Sequence, residues 1–197
     1  GPWLFILLGA PLLGLRHATD PDHLVAVTAL VSGDGAGPRA AQRLGVAWGC
    51  GHAAVLLAAG VPLIALDAQL PAGLERAAEA MIGVVIVVLA LRVLLRLRRR
   101  PPTGAHANLP SRSARRAAAI GVLHGLGGSG AIALLLATKL PTTAEAITAL
   151  ALFAPMSVVS MAICTRAYAH ALARPALARA TPALAVFSLA FGAWYAL

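Results

Sequence analysis

The chain has 197 residues, of which 59% are hydrophobic and 12% charged, and its mean hydropathy is +0.82. A water-soluble domain carries about 25% charged residues, so this composition excludes an ordinary soluble fold and describes an integral membrane protein. The formal charge of +9 comes from 16 basic and 7 acidic residues. The basic residues are almost all Arg and stand between apolar blocks, where they act as topology signals and give no nucleic-acid footprint.

In chain order, the first apolar block is Trp3 to Val31. Its 29 residues would measure about 43 Å as one helix at 1.5 Å per residue, longer than the ~30 Å hydrocarbon layer. The polar run His17-Ala18-Thr19-Asp20-Pro21-Asp22-His23 divides it, so the first helix is expected to break there. Pro2 to Leu15 has no basic stretch before it and no small-residue cleavage site after it, and is read as part of the fold. Leu44 to Leu66 is a span free of Asp, Glu, Lys and Arg, and Ala77 to Leu97 is a further span, with Glu79 at one end and Arg92 and Arg96 able to snorkel at the other. Eight Arg and no acidic residue lie between Arg92 and Arg116, with Pro101, Pro102, Gly104 and Pro110 among them, which marks a cytoplasmic loop. Ala117 to Thr138, Ala146 to Thr165 and Ala180 to Leu197 complete six spans. Arg39, Arg43, Arg166, Arg174 and Arg179 then share the cytoplasmic side with that loop, and both termini are outside.

The two halves resemble each other. Gly14-Leu15-Arg16-His17 aligns with Gly121-Val122-Leu123-His124 at an offset of 107 residues, and each opens a long helix interrupted by helix-breaking residues. Three spans per half put the copies in opposite orientations, the arrangement in which secondary transporters hold a site between repeats. The expected fold is an all-α integral membrane protein of six transmembrane helices in a 3+3 inverted repeat. It forms one transmembrane domain over residues 1–197, with half 1 at 1–97, the basic loop at 98–116 and half 2 at 117–197.

Four ionisable side chains, His17, Asp20, Asp22 and His23, fall within seven residues of a membrane span, where they are costly unless they serve a function. On a continuous helix, at 100° per residue, Asp22 would point away from the other three. Pro21 cannot donate to the carbonyl four residues back, so a local break can turn Asp22 inward and leave the His17 carbonyl facing a cavity. Imidazoles suit Ni, Zn, Cu and Co, and two carboxylates offset the charge of a divalent ion in a low-dielectric site. The competing view is a solvated loop in which Arg16 pairs with Asp20. His52, inside the second span beside Gly51, and His124, which stands where His17 stands in the other half, are further candidate ligands. His106 and His170 fall in or near cytoplasmic segments and read as solvated; Ser129, Ser157 and Ser160 read as packing.

Residues Leu15 to His23 resemble the signature of the nickel/cobalt transporter family, a His, four residues and then Asp-His within one membrane helix, here His17, Asp22 and His23. Arg16, Asp20 and the Gly51-His52 pair fit the same pattern. The six spans, and His124-Gly125-Leu126-Gly127-Gly128-Ser129-Gly130 in the second half, resemble the short branch associated with urease accessory nickel transport. The resemblance implies a transported substrate, Ni²⁺ or Co²⁺, no resident cofactor and no catalysis. It also implies a location in the bacterial inner membrane, in contact with the bilayer, and delivery of the metal to nickel-enzyme maturation proteins as partners. No nucleotide-binding loop is present, which favours a secondary mechanism, and uptake is expected, with efflux through the same site as the alternative. A second class of function is a thiol-disulfide electron carrier using Cys50 and Cys164. These two cysteines lack a C-x-x-C context and read more simply as core packing. An intramembrane metalloprotease is excluded by the absence of H-E-x-x-H.

Overall fold

In a computed structural model, described over residues 2–31, 37–68, 71–98, 113–127, 140–174 and 179–196, the chain forms helices throughout its regular regions, and no strand occurs among these residues. The helices are α1 (Pro2–His17), α2 (Pro21–Val31), α3 (Pro38–Ala65), α4 (Ala72–Arg98), α5 (Ala114–Leu126), α6 (Thr143–Leu172) and α7 (Thr181–Tyr195). Three segments are long and apolar enough to cross a membrane, Pro38–Ala65, Ala72–Leu95 and Thr143–Leu172; Ile6–His17 and Thr181–Tyr195 are shorter apolar helices. The expected span Ala117 to Thr138 is described only as far as Gly127, and most of the basic loop, with His106, lies outside the described residues.

Many large apolar side chains lie on the surface while several histidines lie buried among apolar core residues, unlike a soluble protein. Leu12 is 63% exposed and Trp194 70%, whereas His23, His52 and His124 are 0% exposed. Leucine and valine rows on α1 and α4 (Leu4, Leu8, Val84, Leu91) face outward in the same way. Such a continuous apolar exterior is stable against lipid and not against water.

The first block breaks where its sequence demands. The Thr19 and Asp20 amides donate to the Arg16 and His17 carbonyls at 2.9 and 3.1 Å, closing α1 with a tight turn, and Leu24 N–H reaches back to the Asp20 carbonyl at 3.0 Å to open α2. Pro21, the first residue of α2, stands where a missing N–H costs nothing. The His17 carbonyl is therefore not free to face a cavity, as the sequence suggested: the Asp20 amide satisfies it. Two carbonyls that the break does release are instead met from α6. Ser160 Oγ donates to the Leu15 carbonyl, and Cys164 Sγ approaches the Ala18 carbonyl at 3.7 Å.

The helices pack as α3 with α6, α3 with α5, α1 with α6, and α4 with α7, with weaker contacts of α4 with α5 and of α2 with α7, α4 and α6. Exchanging α1 and α2 for α5, α3 for α6, and α4 for α7 pairs most of these contacts, but α2 with α4 has no counterpart of like extent between α5 and α7 among the described residues. A Cβ on Gly83 would stand 2.7 Å from the Gly192 carbonyl oxygen, and one on Gly192 would stand 3.0 Å from that of Gly83, so α4 and α7 cross backbone to backbone through small residues. Gly49 likewise lies against Val158, while Gly45 lies against Met161 and Thr165, a register that makes α3 and α6 antiparallel.

Candidate metal centre

The break positions the first two imidazoles. His17 ends α1 and His23 sits in the first turn of α2, and with the turn between them their rings lie 4.4 Å apart, centroid to centroid. The packing of α3 brings in His52, whose ring lies 4.8 Å from His17 and 5.5 Å from His23. One ligand atom from each of His17, His23 and His52 can be chosen so that all three lie within 4.8 Å of one another. Asp20, Asp22 and His23 form a second such group, which shares His23 with the first.

The hydrogen bonding has a direction. His17 Nδ1 is 3.3 Å from Asp20 Oδ2, and His17 Nε2 is 2.9 Å from His52 Nε2. With the carboxylate as acceptor, His17 carries its proton on Nδ1, His52 donates from Nε2, and the lone pair of His52 falls on Nδ1. His52 Nδ1 is buried and has no hydrogen-bond partner among the described residues. A carboxylate behind a ring nitrogen fixes the tautomer and orientation of an imidazole that binds metal through its other nitrogen. Asp22, 5% exposed, has Oδ1 3.4 Å from His23 Nδ1 and supplies a second carboxylate of the same kind. The alternative pairing of Asp20 with Arg16 is not the one formed: Asp20 faces His17.

His124 lies beside this group, outside the three-histidine set. Its ring is 5.3 Å from that of His23. Because a carbonyl can only accept, the 3.1 Å contact of Nδ1 with the Ile120 oxygen puts the proton on Nδ1, and the buried Nε2, with no hydrogen-bond partner among the described residues, carries a lone pair. The six candidates thus converge in space, with His17, His23 and His52 closest together, the two carboxylates behind them and His124 at the side.

Sequence reasoning missed two aromatic neighbours. Phe153 of α6 meets His17 edge-on at 5.0 Å, and Trp48 of α3 lies 5.2 Å from His23 and 5.6 Å from His124. Trp48 precedes His52 by four residues, so helical spacing alone would have put both on one face; Phe153 had no such local signal. Ser157 donates to the Ala154 carbonyl at 2.7 Å within its own helix, the packing role expected of it. His170 is exposed. The cysteines are free: Cys50 is exposed on α3 and Cys164 is partly buried toward the Ala18 carbonyl.

No protein-family model and no solved structure matches the chain. Among curated proteins the chain is similar to the urease accessory protein UreH of Bacillus sp. (strain TB-90), with 27% identity over 168 residues, covering 80% of this chain and 73% of that relative. The similarity extends far beyond the nine residues from Leu15 to His23.

Proposed function

From this kinship as premise, we propose that the chain carries a divalent transition metal, Ni²⁺ before Co²⁺, across the membrane through the His17, His23 and His52 centre. The observation that carries the reading is the meeting of three fully or almost fully buried imidazoles from three helices, with two carboxylates at their backs. In lipid such a group is expensive unless it binds something.

Imidazole nitrogens suit nickel and cobalt, and the buried His52 Nδ1, unpartnered among the described residues, is a lone pair open to an ion. Asp20 and Asp22 offset the two positive charges, and His124 adds a fourth nitrogen as the centre rearranges.

The six spans are arranged as two inverted halves, with both termini outside and the basic loop in the cytoplasm. The pairing of α3 with α5 and of α1 with α6 supports that arrangement, and the Arg distribution supports the orientation. Transport runs inward. An inward-negative potential contributes about 4.6 kcal/mol per 100 mV for a divalent ion, enough for roughly 10³-fold accumulation without a second coupling ion. The similarity to a urease accessory protein supports a urease-type nickel enzyme as the destination of the metal, reached through maturation proteins.

The test is uptake of radiolabelled Ni²⁺ and Co²⁺ into proteoliposomes with an imposed potassium-diffusion potential, negative inside. The unaltered protein is expected to accumulate Ni²⁺ and His17→Ala to fail. Uptake equal in both, or insensitive to the potential, refutes the proposal.

A further inference from the structure

The two aromatic neighbours of the histidines occupy equivalent places in the two halves. Gly14 of α1 packs onto the backbone of Phe153, where an added Cβ would stand 2.6 Å from the carbonyl oxygen, and His17, three residues on, meets the Phe153 ring edge-on at 68°. Gly121 of α5 packs onto the carbonyl oxygen of Trp48 in the same manner, and His124, three residues on, meets the Trp48 ring edge-on at 83°. Glycine, aromatic and histidine thus recur as a unit, once built from α1 and α6 and once from α5 and α3.

The units lie at different depths. Since α3 and α6 are antiparallel with Gly49 beside Val158, Phe153 is level with a point on α3 past His52, whereas Trp48 lies before His52. The two rings are therefore about six residues, or ~9 Å, apart along the helix axis, with His52 between them. Trp48 is 1% exposed, Phe153 7%, and the histidines they flank no more than 4%, so both imidazoles are covered beside their rings, while Asp20 keeps 30% exposure at the edge of the centre.

Resting on the transport reading above, we infer that Phe153 and Trp48 are the two gates of the metal centre, each closing it toward one side of the membrane. Each ring is seated on a helix contact made through glycine, where a small shift of one half against the other moves the ring off its histidine. A T-shaped ring contact contributes little and contains no obligatory hydrogen bond, so it opens at small cost. Neither ring offers a donor atom suited to the metal. Their effect falls on the rate at which metal enters and leaves, and not on how tightly it is held.

The measurement is exchange of bound radiolabelled Ni²⁺ against excess unlabelled Ni²⁺ in the purified, monodisperse full chain, beside equilibrium binding. Phe153→Ala and Trp48→Ala are each expected to accelerate exchange at least 10-fold with the dissociation constant changed less than 3-fold, so that association and release rise together. Phe153→Leu and Trp48→Phe, which keep most of the bulk, are expected to restore slow exchange and to guard against a folding defect in the alanine variants. The double alanine variant is expected to let Ni²⁺ leak passively through proteoliposomes down its gradient. Exchange that stays at the unaltered rate, or a weakened dissociation constant with an unchanged association rate, overturns the gates while leaving the transport reading standing. Failure of the unaltered protein to bind Ni²⁺ overturns both.

Discussion

Gly14→Ala touches no proposed ligand, yet it is expected to disable the centre. The added methyl would lie 2.6 Å from the Phe153 carbonyl oxygen, 2.8 Å from Met156 Cβ and 3.2 Å from Ser157 N, so two backbone atoms of α6 stand in its way. Restoring ordinary contact distances of about 3.5 Å requires α1 to withdraw from α6 by ~0.9 Å. His17 is one turn further along and is carried with it. Its Nε2, 2.9 Å from His52 Nε2, is displaced by up to that amount relative to α3, which disturbs the hydrogen bond between them. Overpacking costs about 1–3 kcal/mol of stability. Misplacing one of three imidazoles is expected to weaken Ni²⁺ binding about 10–100-fold, the range for disturbed support of a metal site. Gly73→Ala, where nothing lies within 4 Å of the added methyl, serves as the matched control and is expected to bind normally. Equilibrium dialysis of the two purified proteins, with a thermal melt of each, makes the comparison. An unchanged dissociation constant in folded Gly14→Ala would refute the claim that α1 sets the position of His17 through this contact.

Three further outcomes follow from the same geometry. His124→Ala is expected to lower Ni²⁺ affinity less than His17→Ala does, and the two effects are expected to be non-additive because both side chains face one ion; a titration of single and double variants checks this, and strict additivity refutes it. Metal binding is expected to weaken on acidification, since the imidazoles bind only when neutral and protons compete for the same nitrogens; each displaced proton contributes up to a 10-fold loss per pH unit, and binding that falls at no acid pH at which the protein stays folded refutes a histidine centre. A cysteine at Ala114, exposed at the start of α5, in a Cys50→Ala and Cys164→Ala background, is expected to resist a membrane-impermeant thiol reagent in intact cells and to react after permeabilisation. Labelling before permeabilisation reverses the topology.

The site was legible in the sequence because its principal signal is local. His17, Pro21, Asp22 and His23 lie in one stretch, and the cost of ionisable groups in lipid, together with the missing amide of Pro21, suffices to foresee both the break and the convergence. His52 and His124 were reached through helical context and through the 107-residue offset, and both rings do come to the cluster. What escaped is non-local. That Ser160 and Cys164 would meet the carbonyls released by the break, and that the His17 carbonyl would be claimed by the next turn, depends on how α6 is set against α1. No spacing within either segment encodes that placement. Phe153 is the same case: its neighbours in sequence are apolar, and only the Gly14 contact brings it to His17. The helix lengths were the least legible, as α7 ends after 15 residues where an 18-residue span was expected.

The bonds that close the broken first block also set a schedule for making the protein. The Leu15 and Ala18 carbonyls find their partners 145 and 146 positions later in the chain. At a synthesis rate of about 5–20 residues per second, the end of α1 waits roughly 7–30 s after emerging before α6 exists to receive it. Through that interval two backbone acceptors and the polar run between them have to be tolerated by the insertion machinery, by water, or at the membrane boundary. The support of the first block's break is thus completed late in biosynthesis, long after the three histidines have been made. A ribosome-bound chain arrested before Ser160 should hold nickel more weakly than one from which α6 has been released.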